Sequence, residues 1–143
     1  MLQVVALVLA VLSGLLGPAW DGPARLMTTA IGGVLLGAGL VLAGGAIRSL
    51  GPALTPLPKP RTDAALVQSG AYALVRHPIY GGGIVVVVAW GLLTASVATL
   101  VVAAAILVFL DVKSRREEAW LTERFPDYPA YRARTRRLLP WVY

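Results

Sequence analysis

The run PIYGGGIVVVVAWGLLTASVATLVVAAAILVFL, from Pro78 to Leu110, carries no charged residue over 33 positions. As one α-helix at about 1.5 Å per residue it would be about 50 Å long, against a hydrocarbon core of about 30 Å. One straight crossing is too long for a bilayer. Two crossings of about 16 residues each are feasible with interfacial flanks. The stretch from Gly91 to Ser96, with its polar Thr94 and Ser96, supplies a tight turn between them. The run therefore predicts a helical hairpin in lipid.

Towards the N-terminus lie two more uncharged runs, Leu2 to Trp20 and Leu26 to Ile47, separated by the turn signal Asp21-Gly22-Pro23. Each suits one crossing, which takes about 20 residues. A secretory signal peptide is the competing reading of the first run. It is disfavoured because no Lys or Arg precedes the run and no clear small-x-small cleavage site ends it. The second run holds Gly32, Gly33, Gly37, Gly39, Gly44 and Gly45. Gly33 and Gly37 have the spacing that lets helices approach closely in lipid, and packing within a small bundle is favoured over a dimer seam. Between this run and the hairpin, Pro52, Pro56, Pro58 and Pro60 preclude a regular helix, so residues 51–76 read as a surface loop.

Beyond Lys113 the chain is too charged to enter lipid. Trp120, Leu121 and Phe125 share one helical face, with Arg116, Glu123 and Arg124 at its polar border, which suits a helix lying at the interface. Pro126 and Pro129 end it, and Trp141 and Tyr143 read as interfacial anchors. The expected architecture is all-α: one integral membrane domain over residues 1–143, a bundle of about four transmembrane helices with a C-terminal interfacial helix. The helices fall at about 2–20, 26–48, 78–93 and 96–113, with a loop at 51–76 and a tail at 114–143.

Composition agrees with lipid. Hydrophobic residues make up 57% and charged residues 14%, where a soluble domain carries about 25% charged. The absence of cysteine excludes disulfides, thiolate ligands and a cysteine nucleophile, and a single histidine leaves no multi-histidine metal site within this chain. No metal is expected. The net charge is +6, and apart from Arg25 the basic residues form two groups, Arg48 to Arg76 and Lys113 to Arg137. Nucleic-acid binding would explain the tail but not the apolar half. Four crossings put both termini and the loop on one side, with 12 of the 13 Lys and Arg residues. That bias makes the side cytoplasmic. Rich use of Ala, Val, Gly, Leu and Arg points to a GC-rich, bacterial source, and so to the inner membrane.

Two clusters can carry chemistry. In Arg76-His77-Pro78-Ile79-Tyr80, Pro78 fits the first turn of a helix, where its missing N–H is no loss. Arg76 and His77 then stand where a loop enters the membrane, and the free N–H groups of the helix start favour an anion such as a ligand carboxylate. Taken singly, Arg76 snorkels, His77 caps and Tyr80 is a belt residue. Taken together they face the second cluster, Lys113-Ser-Arg-Arg-Glu-Glu-Ala-Trp-Leu121. Alternating charge is usually a solvated helix face, yet Glu117 and Glu118 stand at the membrane boundary. A carboxylate there can bind an ammonium or a ribose hydroxyl, or act as a base.

The pattern Leu66-Val67-Gln-Ser-Gly70-Ala-Tyr72, then Arg76-His77-Pro78-Ile-Tyr80-Gly-Gly82, an apolar hairpin, Glu117-Glu118-Ala-Trp-Leu121, Phe125, Tyr128, Tyr131 and Pro140 resembles the membrane methyltransferase superfamily. That superfamily contains isoprenylcysteine carboxyl methyltransferases and phospholipid N-methyltransferases. The likeness covers roughly residues 60–140. It implies S-adenosyl-L-methionine as methyl donor, held by Ala64, Ala65, Leu66, Val67, Tyr72, His77, Pro78, Ile79, Tyr80 and Glu117. It makes Lys113, Arg116 and Glu118 the catalytic candidates. Lys113 stands where the carboxyl methyltransferases have arginine, and lysine is a point charge that does not bind a carboxylate bidentately. Arg115 and Arg116 are the alternatives.

The resemblance implies methyl transfer to a lipid-like or prenylated acceptor in the bilayer, in the manner of the isoprenylcysteine enzymes. Phospholipid N-methylation is the alternative. A non-enzymatic scaffold or assembly partner is the other class of reading. A transporter is disfavoured, because the apolar runs bury no ionisable residue.

Overall fold

Proline sets where the apolar runs stop being helix. The computed structural model describes residues 2–51 and 66–143, and it is all-helical. Helix α1 is Leu2–Leu16, α2 is Ala24–Leu50, α3 is Pro78–Leu93, α4 is Val97–Arg124 and α5 is Tyr128–Arg134, with a 3-10 turn at Gly70–Ala73 before α3. The proline-rich stretch at 52–65 lies outside the described residues, and Ala64 and Ala65 lie there with it.

The expectation of about four transmembrane helices does not hold. Among the described residues, two helices are long and apolar enough to cross, α2 with 27 residues and α4 with 28. Only 17% and 28% of their apolar stretches are buried within the protein, which leaves the rest for lipid. Helix α1 has 15 residues and α3 has 16, about 23 Å at 1.5 Å per residue, short of the core thickness. The cause is local. Gly17 and Pro18 end α1 four residues before Trp20, because the residue before a proline is pushed out of the helical region. Pro78 opens α3, and a tight turn closes it. The count on which the placing of the two termini rested is therefore gone.

The C-terminal interfacial helix is also corrected. Helix α4 runs unbroken past residue 113 to Arg124. No proline or glycine interrupts Val97 to Phe125, and the (i, i+4) ion pairs Asp111–Arg115 (2.8 Å) and Lys113–Glu117 (3.7 Å) support its charged half. The helix stops just before Phe125-Pro126. A short α5 follows, with Pro129 in its first turn.

Two compact units divide the chain. The first comprises Met1–Val41 and Gly82–Phe109, the second Leu42–Gly81 and Leu110–Tyr143. In the first unit, helices meet through small residues. A Cβ at Gly32 would lie 3.1 Å from the Ala89 carbonyl oxygen, and one at Gly39 would lie 2.9 Å from that of Gly82. Gly33 and Gly37 have nothing within 4 Å. Positions seven apart return to the same helix face, so Gly32 and Gly39 meet α3, while Gly33 and Gly37 point away.

The α3–α4 turn is built by capping. Ser96 N–H donates to the Gly91 carbonyl (2.9 Å) and Ala95 N–H to that of Leu92 (3.3 Å), with Ala95 at φ +52°. This is the Schellman arrangement, with alanine at the position that glycine usually fills. Ser96 Oγ then accepts from Thr99 N–H (3.2 Å) and starts α4.

Candidate functional site

The second unit is assembled around two short stretches of extended chain. Gly70 has φ +62°, and a Cβ on it would strike Ser49 Oγ, so the turn before Tyr72 needs glycine there. After that turn, Val75 bridges in parallel to Arg136. Arg76 N–H donates to the Arg136 carbonyl and His77 N–H to that of Arg137, both at 2.9 Å. The residues just before α3 are thus fixed by backbone bonds from the tail. Gly81 admits the Leu138 carbonyl against α3, where a methyl group would collide with it. Val75, Tyr128, Tyr131 and Leu138 form the buried packing around this seam.

Into this frame α4 inserts Glu118, only 2% exposed. Its Oε1 accepts from Arg76 Nε at 2.8 Å. Arg137 Nε is 3.4 Å from Oε1, and Arg132 Nε is 3.8 Å from Oε2. Burial works against the Glu118 charge, but His77 and Arg76 at its oxygens hold its carboxyl well below the usual carboxylate range. Arg76 also donates through Nη1 to the Arg132 carbonyl (3.2 Å) and to the Thr135 carbonyl. His77 Nε2 lies 3.3 Å from Glu118 Oε1, out of line for a hydrogen bond, and this buried nitrogen has no hydrogen-bond partner.

Glu117 looks out of the same turn of α4 but is differently held. Tyr80 donates its hydroxyl to Glu117 Oε1 at 2.8 Å. His77 Nδ1 is 3.7 Å from Oε2, and Lys113 Nζ is 3.7 Å from Oε1. The His77 and Tyr80 rings stack at 5.5 Å with planes 4° apart, and Lys113 Nζ sits 5.0 Å from the centre of the Tyr80 ring. Burial, then the Glu117 charge and its hydrogen bond, push the Tyr80 phenol well above the ordinary tyrosine range. Burial, then Tyr131 and Glu117, push Tyr72 up to about 12. Both phenols are therefore donors at neutral pH.

Of the residues singled out by sequence, His77, Tyr80, Lys113, Glu117 and Glu118 come together, with Tyr72 near enough to feel the Glu117 charge. Pro78 is buried and Ile79 half-buried in the first turn of α3, while Leu66 and Val67 are half-buried ahead of the 3-10 turn. Arg116 stands exposed on α4 and makes no ion pair among the described residues. Arg132 and Arg137 are not among the sequence candidates, and Tyr131 enters there only through the resemblance pattern. Tyr131 donates its hydroxyl to the Tyr72 carbonyl at 2.6 Å, tying α5 to the turn. The signal for the arginines was the excess of guanidiniums in the tail, which a buried acidic pair on α4 needs.

The cluster's polar atoms suit a ligand bearing an ammonium, sugar hydroxyls and a carboxylate, as S-adenosylmethionine does. Glu117 is an acceptor, Lys113 is a cation beside it, and His77 Nε2, close to Glu118 but without a hydrogen bond, is a buried polar atom that a ligand could satisfy.

A model of the family described as phospholipid methyltransferase matches residues 27–128. The chain is similar to the cobalt-zinc-cadmium resistance protein CzcN of Cupriavidus metallidurans, at 35% identity over 81 residues. It is similar at 31% over 81 residues to the nickel-cobalt-cadmium resistance protein NccN of Alcaligenes xylosoxydans xylosoxydans. Each match takes in 56% of this chain and 38% of the relative, so the shared part is well under half of either relative's length.

Proposed function

Because this chain belongs to the phospholipid methyltransferase family, whose members use S-adenosylmethionine at membranes, we propose that it methylates the amine of a phospholipid headgroup. The observation that carries the choice of acceptor is the state of Glu117 and Lys113. Glu117 is 13% exposed, accepts the Tyr80 hydroxyl and has only long ion pairs. Lys113, the cation that a carboxylate acceptor would need, is turned to Glu117 and the Tyr80 ring. An ammonium must lose a proton before its nitrogen can attack, and a partly exposed carboxylate is the group to take it. The family match favours this reading over an isoprenylcysteine acceptor.

Bound S-adenosylmethionine supplies a methyl group already activated by sulfonium charge. Leu66, Val67, Tyr72, His77, Pro78, Ile79, Tyr80 and Glu117 are the described residues we assign to holding it. Tyr80 orients Glu117, and His77, held by the Arg137 carbonyl, presents its ring beside both glutamates. Glu118 stays ionised and keeps Arg76, Arg132 and Arg137 in place. With donor and acceptor aligned, most of the acceleration comes from orientation. The basic residues of the second unit support a cytoplasmic site at the inner membrane of a bacterium.

The relatives' printed role is metal resistance. A primary amine offers a lone pair to zinc, cobalt or cadmium and a fully methylated one does not, so methylated headgroups would change how a membrane surface meets those ions.

The test is lipid mass spectrometry of native protein in phosphatidylethanolamine nanodiscs with S-adenosylmethionine. The expected result is a series of methyl-sized increments on that lipid alone. Unmodified phosphatidylethanolamine, with methyl ester formed on an added prenylcysteine instead, would overturn the amine reading.

A further inference from the structure

The tail does more than cover α3. After Leu138 the chain turns back on itself: Leu138 and Leu139 N–H donate to the Tyr143 carbonyl at 2.7 and 2.8 Å, and Tyr143 N–H donates to that of Leu139 at 3.1 Å. Trp141 forms the tip at φ +61°. This turn delivers the Tyr143 phenol to α4. There it donates to Asp111 Oδ1 (3.1 Å) and accepts from Arg115 Nη2 (2.7 Å) and Arg137 Nη1 (3.1 Å). Arg137 Nη1 also donates to Asp111 Oδ1 at 3.1 Å.

Asp111 is the first charge after the uncharged run and takes no part in the Glu117 cluster. A carboxylate at the edge of an apolar stretch is costly unless paired, and here two arginines and a phenol pair it. It stands seven residues before Glu118, two turns or about 10 Å along α4. One guanidinium, that of Arg137, reaches both: Nη1 to Asp111 and Nε to 3.4 Å from Glu118 Oε1. The backbone carbonyl of the same Arg137 holds His77 N–H.

We propose that Asp111 is a positioning residue: with Tyr143 it clasps Arg137, and through Arg137 it sets His77 and Glu118 against Glu117. The kinetic part of this rests on the methyltransferase reading, whereas the clasp itself does not. An ordinary (i, i+4) pair with Arg115 would explain Asp111 without any consequence at His77, so the consequence at His77 is what must be measured.

The experiment uses the full chain in phosphatidylethanolamine nanodiscs and compares native protein with Asp111→Asn, Asp111→Glu and Tyr143→Phe. Hydrogen exchange is followed at the Arg76 and His77 amides, and steady-state methyl transfer is measured in parallel. The clasp predicts faster exchange at those two amides in Asp111→Asn, partial recovery in Asp111→Glu, and a smaller effect in Tyr143→Phe, which loses one hydroxyl. Exchange across Val101 to Leu110 should stay native and certifies the fold. It also predicts a fall in kcat on the order of tenfold to a hundredfold in Asp111→Asn, with a rise in KM for S-adenosylmethionine because His77 is assigned to hold that donor, and partial recovery of both in Asp111→Glu. Native protection of both amides in Asp111→Asn and Tyr143→Phe overturns the clasp. If the native chain transfers no methyl group, the proposed function fails, and the exchange arm alone still decides the clasp.

Discussion

In the first unit, helices meet through glycines and a few hydroxyls; in the second, they meet around a buried carboxylate ringed by guanidiniums. The first unit's only charged residues are Asp21 and Arg25, which pair at 3.0 Å on the surface. Large apolar side chains such as Leu7, Val34, Val101 and Val108 stand exposed on it, and a bilayer covers such surface at no cost. Without water to drive association there, close packing and small residues must hold the helices. The second unit has the opposite problem. It brings carboxylates to an apolar boundary and must compensate each one, and the donors come from distant parts of the chain: Arg76, Arg132 and Arg137 all converge on Glu118. Ion pairs are therefore concentrated in the second unit.

The largest effect should come from breaking the second unit's hub. Glu118→Ala removes the carboxylate beside the largely buried Arg76 and Arg137, and removing one partner of a buried ion pair costs about 3–5 kcal/mol. Thermal unfolding in detergent should show it, together with loss of S-adenosylhomocysteine binding. A native melting temperature would mean that the network is not what holds the tail.

Packing in the first unit should respond more weakly and with a sharp choice of position. Gly39→Ala pushes a methyl group into the Gly82 carbonyl and Val86, a strain of about 1–3 kcal/mol. Gly37→Ala meets nothing within 4 Å and should be neutral or stabilising by up to about 1 kcal/mol, from helix propensity. Equal effects in the two variants would contradict the assigned faces.

The phenols of the second unit give a pH signature. Burial comes first in raising Tyr72 and Tyr131 to about 12, from an unfolded value near 10. Below pH 10 both states keep the proton, so stability is intact. As pH rises through 10 towards 12 the unfolded chain ionises first, and stability falls across that window. Tyrosinate absorbance should rise together with unfolding, and Tyr72→Phe should move the transition upward.

The smallest change is in the turn of the first unit. Ala95→Gly relieves a left-handed alanine and should stabilise by about 0.5–1 kcal/mol, with the glycine's own entropy already deducted.

The all-helical character and the two clusters were legible in the sequence, because uncharged runs and prolines act locally. The number of crossings was not. The Leu2 to Trp20 run is uncharged and long enough for one crossing, but Pro18 inside it shortens the helix. The continuation of α4 was missed for a related reason: its charged half looks like a separate surface helix, yet nothing in it breaks the backbone. The supports of the site were hidden more deeply. That Arg137 should hold both Glu118 and His77 depends on a parallel alignment of Val75 with Arg136, across 61 residues of chain, and no local pattern announces such a pairing.

The proposed reaction turns on Glu117 as the base that takes the proton from a lipid amine within the His77–Tyr80–Lys113 cluster. Its most direct test is transfer of labelled methyl from S-adenosylmethionine to phosphatidylethanolamine by the native chain and by Glu117→Gln, measured from neutral pH up to where the free amine predominates. If Glu117 is that base, the variant is slow at neutral pH and regains rate as the amine deprotonates without help. A variant as fast as the native chain at every pH would contradict it.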